Sequence, residues 1–194
     1  MLDNLRRLVS SVRPVELSVY ARSDRPVLVL SDAAEVRLRQ GTLHVGVVVW
    51  DPESGRMHYT SVEVPKQVLL YFAWLAAKGK YICQLELLAV AVAYETFPDL
   101  LRGRLVHHFV DNQAAMSNMI SGYSGKPDSA VILGAAQRAI LALACYPWFS
   151  FVCSGDNLSD LPSRKDFALL KRLGAIFRVS KMPDFSDRPG WCLV

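Results

Sequence analysis

The chain has 194 residues, 52% hydrophobic and 21% charged, with 22 Lys+Arg against 18 Asp+Glu and a formal charge of +4. That balance excludes a disordered or collagen-like chain, and the length suits one domain of ordinary size with extended tails. A membrane span needs about 18 or more uninterrupted apolar residues; the best stretch, Ala139 to Cys153, is broken by Pro147, so no membrane partner is expected.

The N-terminus is too charged for a secretory signal peptide. Cys83, Cys145, Cys153 and Cys192 form no close pair, which argues for reduced and mostly buried thiols and against a disulfide framework or a zinc knuckle. An intracellular location, cytoplasm or nucleus, is expected. Charge is uneven along the chain: residues 1–25 carry five Arg against three acids, residues 26–160 ten basic against twelve acidic, and residues 161–194 seven basic against three acidic. A cationic rim around an acidic centre suits a polyanion held through its phosphates with metal between, although soluble domains also carry basic tails without that role.

In chain order, Pro26 to Leu30 is a short apolar run ending at Ser31-Asp32, read as a buried strand with its polar end at a sheet edge. Leu43 to Trp50 and the alternating run Met57 to Val64 flank a turn at Asp51 to Gly55 and predict an antiparallel hairpin. Gln67 to Ala77 predicts a short helix stopped at Lys78-Gly79, and Gln84 to Phe97 a stronger one closed by Pro98. Leu105 to Val110 reads as a strand running into Asp111-Asn112 and a further helix. Roughly Asp128 to Ala144 predicts a long helix, Trp148 to Val152 a fifth strand, and Leu158 to Leu173 a helix ending at Gly174. Three leading strands followed by helix–strand alternation indicate an α/β domain with a mixed sheet flanked by helices. Residues 1–24 are read as a basic extension or linker, 25–174 as the domain, and 175–194 as a loosely structured tail.

Four acids hold unusual positions in this scheme. Asp32 ends the first strand, Glu86 lies near the start of a helix, Asp111 ends the fourth strand, and Asp160 lies early in the last helix. If the first and fourth strands are parallel neighbours, Asp32 and Asp111 emerge side by side at the sheet edge where ligands of open α/β sheets gather. Like charges at that range resist joint ionisation unless a cation sits among them, and oxygen-only donors favour Mg²⁺ or Mn²⁺. Two such ions about 4 Å apart serve phosphodiester hydrolysis. Singly, each acid also has an ordinary account: a turn cap, a first-turn acid, a helix N-cap or a surface charge. His107 and His108 alternate in facing, so only one can turn to such a site, and a sheet-facing structural role suits them better. Asp156 is a second choice should Asp160 point away.

The text around the acids carries a resemblance. Asp32 after an apolar strand, Gln84-Leu85-Glu86-Leu87-Leu88-Ala89, His108-Phe109-Val110-Asp111-Asn112, the Gly122 to Ala130 loop and Asp160-Leu161-Pro162-Ser163-Arg164 together resemble the ribonuclease H domains of eukaryotic retroelement reverse transcriptases, over about residues 26 to 170. The resemblance implies a ribonuclease H-like fold: a five-stranded mixed sheet, a three-strand antiparallel meander then parallel strands, flanked by helices. It implies that Asp32, Glu86, Asp111 and Asp160 bind two Mg²⁺ or Mn²⁺ ions and cut the RNA strand of an RNA/DNA hybrid, without a small-molecule cofactor. Asn112, Gln113, Asn157 and Arg164 are implied nucleic-acid contacts, the first two at ribose 2′-hydroxyls and Arg164 at a phosphate or in a structural ion pair.

Two departures stand out. Ala33-Ala34-Glu35 replaces the glycine-rich stretch common after the first acid, with Arg37, Arg39, Gly41 and Gly46 following, and Cys153-Ser154-Gly155 leads straight into Asn157 with no His in the loop before the fourth acid. Slow turnover, or activity only within a larger polyprotein alongside a polymerase domain, follows from both. The alternatives are an inactive nucleic-acid-binding or connecting domain, and a DNA-directed nuclease or integrase-like enzyme of the same fold.

Overall fold

The computed structural model describes residues 25–36, 42–72 and 81–185. The expected extension at 1–24, Arg37, Arg39 and Gly41, the latter part of the helix ending at Lys78-Gly79, Trp74, and positions 186–194 including Cys192 lie outside the described residues.

Val-rich runs of alternating or continuous burial form strands because branched side chains pack well on a pleated surface. β1 (Val27–Val36), β2 (Thr42–Asp51) and β3 (Arg56–Glu63) form the antiparallel meander. The β2–β3 turn is held by Asp51, whose carboxylate accepts from the Glu53 and Ser54 amides and from the Ser54 hydroxyl at 2.6 Å. β4 (Leu105–Val110) pairs parallel with β1, and β5 (Tyr146–Phe151) parallel with β4. A sixth strand, β6 (Ile176–Phe177), pairs parallel with β3, giving the order β5-β4-β1-β2-β3-β6. Among the described residues the sheet therefore has six strands rather than the expected five. A two-residue strand carries no periodicity to read; Tyr59 holds it by accepting from the Arg178 amide at 2.8 Å and meeting the Phe177 ring edge-on at 5.5 Å.

The helices are α1 (Lys66–Tyr71), α2 (Ile82–Thr96), α3 (Pro98–Leu101), α4 (Gln113–Ser121), α5 (Pro127–Leu143), α6 (Asp160–Ser163) and α7 (Ala168–Arg172). α2 is apolar nearly all round, as a helix enclosed on every side must be: Leu85 and Leu87 to Ala93 are fully buried in one cluster with β1, β2 and α5 residues such as Val29, Val47 and Ile132. On the opposite face of the sheet, Val48 and Tyr59 pack with Leu170 of α7. β2 is thus covered on both faces, which explains its continuous run of buried residues. Among the described residues no helix is long and apolar enough to cross a membrane.

Two boundaries depart from expectation. β1 does not stop at Asp32 but runs on to Val36, because β2 supplies backbone partners as far as Val36↔Thr42. The helix expected over 158–173 is two short helices. Lys165, at φ 62°, ends the first in the left-handed region, and Asp166 accepts from the Ala168 amide at 3.1 Å to start the second.

Candidate active site

The parallel register of β1 and β4 ends at Ser31↔Val110, so the next residue on each strand, Asp32 and Asp111, leaves the pairing at the same level. Asp32 stays in the β1–β2 ladder while losing its β4 neighbour, and Asp111 turns into the loop before α4. Asn112, not Asp111, caps that helix, its Oδ1 accepting from the Ala115 amide at 3.0 Å. The Asp111 carboxylate is thereby left for other partners, and accepts from the Ser154 hydroxyl at 3.0 Å. Glu86, in the second turn of α2, completes a set in which one oxygen from each of Asp32, Glu86 and Asp111 lies within 4.8 Å of the others.

The electrostatics of this set are severe. Asp32 and Glu86 are each only 3% exposed. Burial, then the charges of Asp32 and Asp111, push Glu86 up to about 10, against which the Ala33 amide acts only weakly. Burial raises Asp32 to about 6, opposed by the Ser163 hydroxyl and reinforced by Asp111 and Asp160. Glu86 Oε2 is buried with no hydrogen-bond partner. An orphaned buried carboxylate oxygen beside two more carboxylates is unfavourable unless a proton or a cation neutralises it. Oxygen donors at this spacing fit a hard divalent cation such as Mg²⁺ or Mn²⁺.

Asp160 is placed at the rim, at the start of α6, with its Oδ1 accepting from Arg164 Nε at 2.6 Å. It is not among the three acids whose oxygens converge, though its charge reaches Asp32 and Glu86. Gln113 is exposed at the first position of α4, and Arg164 is 64% exposed. Asn157, expected to face nucleic acid, is instead buried. Its Nδ2 donates to the Ser31 carbonyl at 3.2 Å, and its Oδ1 accepts from the Ser159 amide and hydroxyl at 3.2 and 2.5 Å. This amide ties the loop before α6 to β1 at the residue next to Asp32.

His108 is fully buried, with Nε2 2.9 Å from Ser31 Oγ and Nδ1 3.2 Å from the Tyr94 hydroxyl, and burial pushes it down to about 3. His107 stacks on Phe109 at 4.1 Å and meets Ser150 Oγ at 2.8 Å. Both histidines belong to the sheet.

Three contributors escaped sequence reasoning. Ser163 Oγ donates to Asp32 Oδ2. Ser154 holds Asp111, as above. Gly46 lets α6 approach β2: a Cβ there would lie 2.3 Å from Ser163 N, 2.6 Å from Ser159 O and 2.9 Å from Pro162 C. Gly46 did carry a signal, since a lone glycine inside a strand marks a close backbone approach.

No protein-family model matches the sequence, and no curated protein matches it. Solved structures do. RNase H1 from the halophilic archaeon Halobacterium salinarum NRC-1 is similar at a TM-score of 0.52 and 16% identity, over 74% of this chain and 98% of that one. The N-terminal RNase H domain of a Mycobacterium tuberculosis protein, solved as a fusion with maltose binding protein, is similar at a TM-score of 0.50 and 15% identity, over 77% and 99%. The chain has a ribonuclease H-like fold.

Proposed function

We propose that this chain is a divalent-metal-dependent nuclease that cuts the RNA strand of RNA/DNA hybrids and derives from a retroelement polyprotein. The observation that carries the reading is the convergence of Asp32, Glu86 and Asp111 within 4.8 Å at the edge of a ribonuclease H-like sheet. Retroelement descent is supported by the motifs at Gln84 to Ala89, Val110 to Asn112, Gly122 to Ala130 and Asp160 to Arg164, and with it goes a polymerase domain as natural partner.

Asp32, Glu86 and Asp111 would hold Mg²⁺ or Mn²⁺, with Asp160 joining from the rim for a second ion. Bound there, the metal supplies activation of a water and stabilisation of the leaving oxygen. The remaining work falls to the chain. The Ser154 hydroxyl steadies Asp111. Gln113, exposed beside Asp111, and Asn112 meet the ribose 2′-hydroxyls that distinguish RNA from DNA. Arg164 keeps Nε on Asp160 and offers its terminal nitrogens to a phosphate.

The test is a cleavage assay on a labelled hybrid with Mg²⁺. The RNA strand is cut to leave a 3′-hydroxyl and a 5′-phosphate, while duplex and single-stranded DNA remain intact. Asp111→Asn abolishes cutting with an unchanged circular dichroism spectrum. Equal cutting by that variant, or preference for DNA, refutes the reading.

A further inference from the structure

We infer that Ser163 is a positioning residue of the metal centre: its hydroxyl holds the Asp32 carboxylate in the orientation that ligates a divalent cation. The inference rests on the metal-dependent reading above and assigns a role that none of the four acids supplies.

Ser163 is completely buried, and its Oγ donates to Asp32 Oδ2 across 131 positions of sequence. Three strands fix where that oxygen sits. Gly46 of β2 admits the α6 backbone at contact distance, the Ser61 hydroxyl of β3 donates to the Pro162 carbonyl at 2.7 Å, and Asn157 ties the preceding loop to Ser31 of β1. The hydroxyl has one hydrogen and two acceptors in reach, the Asp32 carboxylate and the Asp160 carbonyl at 2.9 Å. The charged acceptor makes the stronger bond.

Two of the converging acids have a hydroxyl donor, Ser154 for Asp111 and Ser163 for Asp32. They differ in what can replace them. Ser154 is exposed, so water can take over its hydrogen bond, whereas water has no access to Ser163. Partners that orient a ligating carboxylate contribute about 10–100-fold to metal affinity.

The experiment is calorimetric titration of Mn²⁺ into the metal-free chain, for wild type, Ser163→Ala, Ser163→Cys and Ser163→Thr, each also melted without metal. Ser163→Ala weakens Mn²⁺ affinity by about tenfold or more. Ser163→Cys, a near-isosteric weak donor, weakens it similarly and serves if the alanine variant does not fold. Ser163→Thr keeps the hydroxyl and retains an affinity closer to wild type than Ser163→Ala does. A serine that only packed the core would lower the melting temperature and leave the Mn²⁺ affinity of folded protein unchanged, and that result overturns the inference. Wild-type protein without saturable Mn²⁺ uptake overturns the metal reading and this inference together. Uptake without hybrid cleavage overturns the nuclease reading alone.

Discussion

Gly46 stands directly opposite Asp32 in the β1–β2 register, and the space its missing side chain leaves is filled by backbone of the α6 segment. The nearest atoms to a Cβ at this position all belong to the main chain, so no flexible side chain can swing aside. Gly46→Ala must push α6 off β2, carrying Ser163 from Asp32 and Asp160 from the rim. Overpacking of this kind costs about 2 kcal/mol, or about 4–8 °C in melting temperature for a chain of this size. A variant with wild-type stability in chemical denaturation and wild-type Mn²⁺ affinity would show that α6 does not hold this position.

Glu86 makes the metal-free protein weaker as pH rises. Its folded value, about 10, lies above the ordinary carboxyl value of 4.5, so the folded state binds the proton more tightly. Stability from this group is complete below about pH 4.5 and is lost progressively as pH climbs towards 10. Asp32 adds a loss in the same direction between its ordinary value of 3.8 and about 6. Glu86→Gln cannot ionise, so its melting temperature in EDTA falls less from pH 5 to pH 8 than that of wild type. Added Mg²⁺ raises the melting temperature of wild type at pH 8 and has a smaller effect on the variant. Parallel pH curves for the two proteins would show that Glu86 is not buried as a neutralised acid.

The rim position of Asp160 separates it from the converging acids. Asp160→Asn removes an exposed ion pair with Arg164 at 2.6 Å, an interaction worth about 0.5 kcal/mol, so the fold is nearly unaffected. Its loss of Mn²⁺ affinity is smaller than that of Asp111→Asn, because a variant lacking Asp160 keeps the three oxygens within 4.8 Å of one another. Titrating both variants with Mn²⁺ ranks them, and an equal or larger loss for Asp160→Asn would place this acid at the centre rather than the rim.

The sequence is legible where a pattern is local. Leu105–Val110 is the fourth strand residue for residue, because its polar stop at Asp111-Asn112 coincides with the start of a helix. The hairpin and α2 likewise follow from alternation and from an apolar run closed by Pro98. The pairing of Asp32 with Asp111 was also readable, although for a partly mistaken reason: Asp32 does not end β1 but passes the end of its β4 neighbour. What failed depends on contacts distant in sequence. Asn157 looks like a surface amide until Ser31 is placed beside it, and Ser163 looks inert until Asp32 is. β6 exists only because β3 has a free edge for it.

His108 opposes Glu86 in its pH dependence. Burial lowers its folded value to about 3 from the ordinary imidazole value of 6.5, so the unfolded chain binds the proton more tightly. Its contribution to stability is complete above about pH 6.5 and is lost as pH falls towards 3. His108→Phe removes this acid sensitivity and flattens the stability curve between pH 6.5 and 3. It also strips partners from two polar groups, Ser31 Oγ at 2.9 Å and the Tyr94 hydroxyl at 3.2 Å. Ser31 is fully buried and Tyr94 nearly so, and an unsatisfied buried group costs about 1–3 kcal/mol. The variant is therefore less stable than wild type at pH 7 and closes the gap as the solution is acidified. Denaturant midpoints measured at pH 7, 6, 5 and 4 check both halves, and a constant difference across that range would mean that His108 binds its proton equally well in the folded and unfolded chain.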